Sequence, residues 1–197
     1  MVQQIMSQLD RREAVATLLR DRGDLLVITG LGSPTYDAMA AGDHDRTFYL
    51  WGAMGGAAMM GLGLALARPG ERVAVITGDG EQLMGVGGLL TIGAILPKNL
   101  TVVVLDNHHY GETGMQPSHT GMGVDLVGIA KASGFAWSQS VTEPHELENL
   151  RSRLHGAQGP GFASVLVKPD SPPRALPPRD GVELKNRFRR QLGLGTI

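Results

Sequence analysis

Two short stretches decide the fold: Arg72-Val73-Ala74-Val75-Ile76-Thr77-Gly78-Asp79-Gly80 and Leu100-Thr101-Val102-Val103-Val104-Leu105-Asp106-Asn107. Each is a β-branched apolar run that stops abruptly at polar residues. Runs that are apolar without alternation belong to strands buried on both faces, and such strands form parallel sheets covered by helices. The segment between them, 81–96, is apolar and long enough for the crossover helix that joins parallel strands. The same grammar extends in both directions. Towards the N-terminus, a helix is expected over 7–22 with Ser7 as its cap, then a strand at 25–29 running into Gly30-Leu31-Gly32-Ser33-Pro34. A short helix over 35–41, a strand at 47–51 and a helix over 54–67, apolar nearly all round, follow. Beyond Asn107 come a loop over 107–124, a helix over 125–133, a strand at 135–138, a helix over 143–155 and a strand at 162–167. The expected class is α/β, a mostly parallel sheet with helices on both faces.

Composition narrows the function. Of 197 residues, 42% are hydrophobic and 19% charged, enough apolar material for a core. Eighteen Lys and Arg against 19 Asp and Glu leave a net charge of −1, so no overall basic field exists to hold nucleic acid or an anionic membrane. The absence of cysteine excludes disulfides, thiolate zinc sites, cluster ligation and a cysteine nucleophile, and fits a reducing cytoplasm. No secretory signal is expected, since residues 1–12 are polar. Residues 47–67 carry no charge, but five glycines interrupt them; a strand, a turn and a buried helix explain them better than a membrane span. Residues 1–168 are expected to form one binding domain. Residues 169–197 form a Pro-rich arm and a short basic helix over 181–192, docked on their own domain or wrapped around a partner subunit.

In a parallel sheet, ligands bind beyond the carboxyl ends of the strands. The Gly-rich and polar loops here all follow strands, at 30–33, 52–56, 78–81 and 107–114. Asp79 and Asn107, 28 positions apart, end two strands joined by one helix and so converge. A carboxylate with an amide oxygen is a hard donor set suited to Mg²⁺ or Ca²⁺, and Mg²⁺ prefers to bridge to phosphate oxygens. Glycines on both sides of Asp79 permit close backbone approach, and the helix that follows points its N–H groups at an anion. The plain alternative is an Asp in a tight turn and an Asn at a strand end.

Gly78-Asp79-Gly80, a gap of 26 residues and Asn107 together resemble the thiamine diphosphate fingerprint of 2-oxo acid decarboxylases and related lyases. Trp51-Gly52-Ala53-Met54-Gly55, Asp106-Asn107-His108-His109-Tyr110-Gly111 and the run from Gly111 to Pro117 are similar to sulfopyruvate and phosphonopyruvate decarboxylases. The likeness extends over 25–167. It implies that Asp79, the Asn107 side chain and the His109 carbonyl hold Mg²⁺. It implies further that Gly78, Gly80, Glu81, Gly32 and Ser33 face the diphosphate, with Tyr110, Gly111, Glu112 and Thr113 around the cofactor. The Gly52 carbonyl would meet the aminopyrimidine, and Met54 would wedge beneath the cofactor; simple core packing is the alternative for Met54. His109 and His119 are candidates for binding the substrate anion or relaying protons, against a plain surface role.

Glu81 departs from the family pattern, where Ser or Ala is frequent; a second carboxylate beside a diphosphate is unfavourable unless it turns away and caps a helix. The resemblance also implies an activating glutamate, and no Glu stands where it must be. Glu81 and Glu112 lie at the diphosphate end, and Glu13, Glu71, Glu143, Glu146, Glu148 and Glu183 fall on helices or connections. The expectation is therefore half a site: a β subunit whose α partner binds the pyrimidine and supplies that Glu, with contact between β subunits. The implied reaction is non-oxidative decarboxylation of a small anionic 2-oxo acid. Carboligation or acyl transfer on the same cofactor, and a non-catalytic phosphate- or nucleotide-binding adaptor, are the alternatives.

Overall fold

A computed structural model describes residues 9–196. Its main sheet has six strands, all parallel, in the order β2-β1-β3-β4-β8-β7. The strands are β1 (Leu26–Thr29), β2 (Thr47–Tyr49), β3 (Val73–Gly78), β4 (Leu100–Asp106), β7 (Trp137–Val141) and β8 (Gly161–Leu166). The expected class holds. Successive side chains of β3 alternate between two cores, as the pleat requires. Ala74 and Ile76 join Val15 and Leu18 of α1 (Arg11–Leu19) and Leu147, Leu150 and Leu154 of α7 (Pro144–Leu154). Val73 and Val75 join Leu62 of α3 (Ala57–Ala67), Leu89 and Ile92 of α5 (Gly87–Ile95) and Ala130 of α6 (Leu126–Ala132).

The chain moves outward from β1 to β2 on one side, then returns to place β3 on the other flank of β1. This reversal opens a crevice at the carboxyl ends of β1 and β3, where open α/β sheets take their ligands.

Several expectations are revised. The first helix begins at Arg11, because Asp10 caps it by accepting from the Arg12 and Glu13 amides; Ser7 lies outside the described residues. The single helix expected over 81–96 is two, α4 (Asp79–Met84) and α5. The break falls at Gly85, which packs against the Gly55 backbone so closely that a Cβ there would overlap the Gly55 carbonyl oxygen. The helix expected from 54 starts at Ala57, and Met59, Met60 and Leu66 on it are exposed, so one face that reads as buried is uncovered in this chain. The strand expected at 135–138 starts at Trp137, with Phe135 buried edge-on to Phe162 instead. The loop over 107–124 contains a two-stranded hairpin, β5 (His109–Tyr110) with β6 (Gln116–Pro117), and a 3₁₀ turn at Thr120–Met122.

The arm after β8 lies against the rest of the chain. Arg12 donates to the Pro173 carbonyl, and the Trp51 indole N–H donates to the Pro178 carbonyl at 3.1 Å. Helix α8 (Gly181–Gln191) then packs on β2, with Phe188 edge-on to Phe48 and Arg187 paired with Asp43. This covers a sheet edge that would otherwise expose unpaired backbone. Among the described residues, no helix is long and apolar enough to cross a membrane.

Asn99 fastens α3 to the start of β4. Its amide nitrogen donates to the carbonyls of Ala65, Arg68 and Glu71 at 3.1, 3.0 and 2.8 Å. The Ala65 carbonyl is an orphan acceptor of the last helical turn, while that of Arg68 also accepts the Glu71 N–H at 3.0 Å. Asn99→Ala is expected to lower unfolding stability by about 1–3 kcal/mol, because buried carbonyls lose their donor. Urea denaturation followed by circular dichroism measures this.

Candidate active site

The register of β3 and β4 builds the site. Gly78 pairs with Leu105, so Asp79 and Asp106 follow side by side and Asn107 comes one residue later. A cavity of about 220 Å³ opens above them, lined by Leu31, Ser33 and Pro34 after β1, Met54, Gly78 to Glu81, Asn107, and His109 to Thr113. The structure thus gathers Ser33, Met54, Gly78, Asp79, Gly80, Glu81, Asn107, His109, Tyr110, Gly111, Glu112 and Thr113 around one space. Gly32 stands at its rim, as the positive-φ residue (+78°) that starts α2 (Ser33–Ala40); a Cβ there would press on the Glu112 side chain. Gly52 and His119 lie outside the lining: Gly52 is exposed, and exposed His119 touches the Tyr110 hydroxyl at 3.5 Å.

Asp79 is almost wholly buried. Burial pushes its carboxyl above the usual range, the Ser118 hydrogen bond opposes this, and the neighbouring Asp106 charge adds to it. Ser118 donates to Oδ2 at 2.5 Å, and Thr120 lies 3.3 Å from the same oxygen. The Asn107 side chain folds back, its Oδ1 accepting the His109 N–H at 2.9 Å. His109 in turn places Nδ1 2.7 Å from the Asn107 carbonyl. A carbonyl only accepts, so the neutral ring carries its proton on Nδ1 and leaves Nε2 as an acceptor.

Glu81, though it lines the cavity, spends its carboxylate on backbone. Oε2 accepts the Leu31 N–H at 2.9 Å and Oε1 the Ala57 N–H at 3.4 Å, with Thr77 and Gly55 as further donors. Burial raises its pKa while these bonds lower it. The carboxylate fits tightly: a Cβ at Gly30 would overlap Oε2. Turning away and capping a helix start is what makes a glutamate tolerable there, although the helix is α3 and not its own.

Three further residues belong to this architecture without a signal in the sequence. Ser118 and Thr120 reach Asp79 only because the hairpin folds the chain back, and a Ser-His-Thr triplet in a loop is unremarkable by itself. Arg11 lines the cavity floor from α1, paired with Asp37 at 3.2 Å.

The starts of α2 and α4 both face the cavity, and neither carries a side-chain cap. At α2, Pro34 has no N–H and the Gly32 carbonyl takes the Thr35 N–H at 3.0 Å, so Ser33 is the residue there with an amide to offer; free amides at helix starts receive anions. Fold and site together define an α/β domain that takes a phosphorylated ligand at the switch point of its sheet. The comparisons with known proteins narrow this to a family. The profile of the thiamine pyrophosphate enzyme C-terminal TPP binding domain matches residues 34–165. The chain belongs to that family. It is 38% identical to the sulfopyruvate decarboxylase subunit beta of Methanothermobacter thermautotrophicus, over 93% of this chain and 96% of the relative. The subunit beta of Methanocaldococcus jannaschii is 44% identical over 72% and 73%. Phosphonopyruvate decarboxylase of Streptomyces viridochromogenes is 34% identical over 84% of this chain but only 42% of its own. Among solved structures, benzoylformate decarboxylase from Polynucleobacter necessarius shares the fold, with a TM-score of 0.66 at 20% identity over 85% of this chain and 36% of that one.

Gly80 tests the cavity's shape. A Cβ there would sit 2.6 Å from the Tyr110 ring, so the ring must move for any other residue to fit. Gly80→Ala is expected to weaken thiamine diphosphate binding by about tenfold or more while the circular dichroism spectrum is retained, since displacing a group that supports a site costs that much. With Asp79 as the cation donor proposed below, Asp79→Ala should weaken Mg²⁺-dependent binding more than about 100-fold. Calorimetry of thiamine diphosphate in the presence of Mg²⁺ measures both.

Proposed function

We propose that this chain is the diphosphate- and Mg²⁺-binding subunit of a thiamine diphosphate-dependent enzyme that decarboxylates a small anionic 2-oxo acid without oxidation. The class of substrate is that named for its relatives, a pyruvate bearing a sulfonate or phosphonate. The observation that carries the reading is the meeting of Asp79 and Asn107 on one cavity, in a chain matching a sulfopyruvate decarboxylase beta subunit over nearly the full length of both.

Asp79, Asn107 and the His109 carbonyl are the donors for Mg²⁺. The donor set suits that ion, and the charges call for one. A diphosphate cannot lie against buried Asp79, with Asp106 behind it, unless a cation stands between them. The uncapped start of α4 takes phosphate oxygens, with Ser33 at the start of α2 beside it. Tyr110 packs on Gly80 and walls one side. Met54, 41% exposed, borders the cavity at its open edge and is not part of the core. That position suits a wedge against an apolar ring. When bound, thiamine diphosphate supplies a nucleophilic carbon and a sink for the electrons released with CO₂. His109 offers its Nε2 as a proton acceptor, and binds the substrate anion only in the protonated form in which that nitrogen donates.

Half a site is what this chain provides. Of the three carboxylates on the cavity, Asp79 is anchored by Ser118 with one oxygen left for the cation, Glu81 is held by backbone amides, and Glu112 pairs at the surface with Arg174 at 2.9 Å. All three stand at the diphosphate end, so the glutamate that activates the pyrimidine comes from a partner subunit. In keeping with this, the chain spans 42% of phosphonopyruvate decarboxylase and 47% of the Methanosarcina acetivorans sulfopyruvate decarboxylase. Met59, Met60 and Leu66 on α3, with Met84 and Leu90 beyond them, leave an apolar face for the partner and for a second β subunit. The cysteine-free composition suits a cytoplasmic enzyme.

The test is an assay of sulfopyruvate and phosphonopyruvate with saturating thiamine diphosphate and Mg²⁺. The chain alone should release no CO₂; with the pyrimidine-binding subunit it should yield CO₂ and an aldehyde. Turnover by the chain alone would overturn the split site. A ligated ketol or a reduced acceptor would indicate the other chemistries of this cofactor, and cofactor binding without CO₂ release an adaptor. In the assembled enzyme, Met54→Ala should lower kcat by about tenfold or more with cofactor affinity retained, because the wedge acts on orientation.

A further inference from the structure

The cavity-facing residues leave unexplained how a buried carboxylate is kept in the one orientation that serves a cation. Behind Asp79 lies a buried polar cluster: Ser118 is 0% exposed, and Asp106 and Thr120 are buried at the floor of a second cavity. Two turns in the chain put it there. Asp106 Oδ1 accepts the His108 N–H at 3.0 Å, which turns the chain out of β4 with His108 in the left-handed region (φ +64°). The β5–β6 hairpin then brings it back, and the Ser118 N–H closes on the His108 carbonyl at 2.8 Å. Gly121 permits this return, since a Cβ there would lie 2.8 Å from the same carbonyl.

Proton counting assigns the roles. Each hydroxyl has one proton to give. Ser118 sits 2.5 Å from Asp79 Oδ2 and Thr120 sits 2.8 Å from Asp106 Oδ1, whereas Thr120 to Asp79 is 3.3 Å. The Ser118 proton therefore belongs to Asp79 and the Thr120 proton to Asp106. The two hydroxyl oxygens stand 2.9 Å apart with both protons spent on carboxylates, so Ser118 is the donor to Asp79 and Thr120 the donor to Asp106 beside it. Both approach Asp79 at Oδ2, on the side away from the cavity.

We infer that Ser118 is a positioning residue for Asp79: it occupies Oδ2 and thereby presents Oδ1 to a divalent cation at the cavity. This rests on the proposed Mg²⁺–diphosphate site and adds the part that orients its anionic ligand. A carboxylate without such an anchor rotates about its terminal torsion, which is broad for Asp, and divides its time between orientations that do and do not serve the metal.

The experiment titrates Mg²⁺ into the full chain at fixed thiamine diphosphate, by calorimetry, and repeats the cofactor titration at saturating Mg²⁺. Ser118→Ala should raise the Mg²⁺ midpoint by about 10–100-fold, the usual effect of losing a second-layer partner. Thr120→Val should raise it less, and Thr120→Ser, which keeps the hydroxyl, should stay near wild type. At saturating Mg²⁺, cofactor affinity should return to the wild-type value in all three, a recovery that a general loss of structure would not show. An unchanged Mg²⁺ midpoint in Ser118→Ala, or an affinity loss that Mg²⁺ does not repair, would overturn the positioning role. If the wild-type chain shows no Mg²⁺-dependent binding, the functional reading itself falls and this inference with it.

Discussion

Two buried carboxylates side by side are the constraint around which the rest of this structure is arranged. The parallel register of β3 and β4 makes Asp79 and Asp106 neighbours at the carboxyl ends of adjacent strands. Like charges in a low-dielectric interior repel strongly, and burial makes ionisation of Asp79 costly. The chain answers with hydroxyls and imidazole: Ser118, Thr120, Ser164 and His108 all approach the pair, and none is a permanent cation. A fixed Lys or Arg would neutralise the carboxylates, and would also remove the reason for a metal to bind. The unbalanced negative charge is the functional property, and the polar cluster makes it structurally tolerable.

The same economy explains Glu81. It is a third acidic group within one turn of Asp79, yet it adds no open charge to the cavity because its oxygens are filled by amides from the β1 loop and the start of α3. Acidic residues therefore have two opposite uses within three positions. Asp79 keeps an oxygen available, whereas Glu81 is consumed in holding loops. Which use applies depends on the reach of the side chain: the longer one bends back to Leu31 and Ala57.

Much of this was legible in the sequence. Continuously apolar runs ending in Gly-Asp-Gly and Asp-Asn mark parallel strands and their functional ends, because burial on both faces and the strand-to-loop switch are local properties of the chain. The Pro-rich segment was equally plain. What escaped reading depends on distant packing. Gly85 breaks the helix because the Gly55 backbone lies against it. Ser118 and Thr120 gain their importance only after a hairpin returns them to Asp79. The 54–67 segment reads as apolar nearly all round and buried on several sides, with an apolar surface over 52–63 left bare in a monomer, and Met59 and Met60 are exposed there. Apolar composition reports that a surface is to be covered, not by which molecule.

Glu81 also has a mechanical meaning. By holding the amides of Leu31 and Ala57 with one side chain that begins in α4, it links segments following β1, β2 and β3 into a single body. Such a body cannot adjust piecemeal. The exposed turn from Gly111 to Gly114 lies outside this tie: it is closed by its own bonds, from the Met115 N–H to the Tyr110 carbonyl and between Thr113 and Gln116, and pinned at the surface by Glu112 with Arg174. Surface pairs are weak and are screened by salt. Salt therefore weakens that outer pin far more than the buried bonds of Glu81.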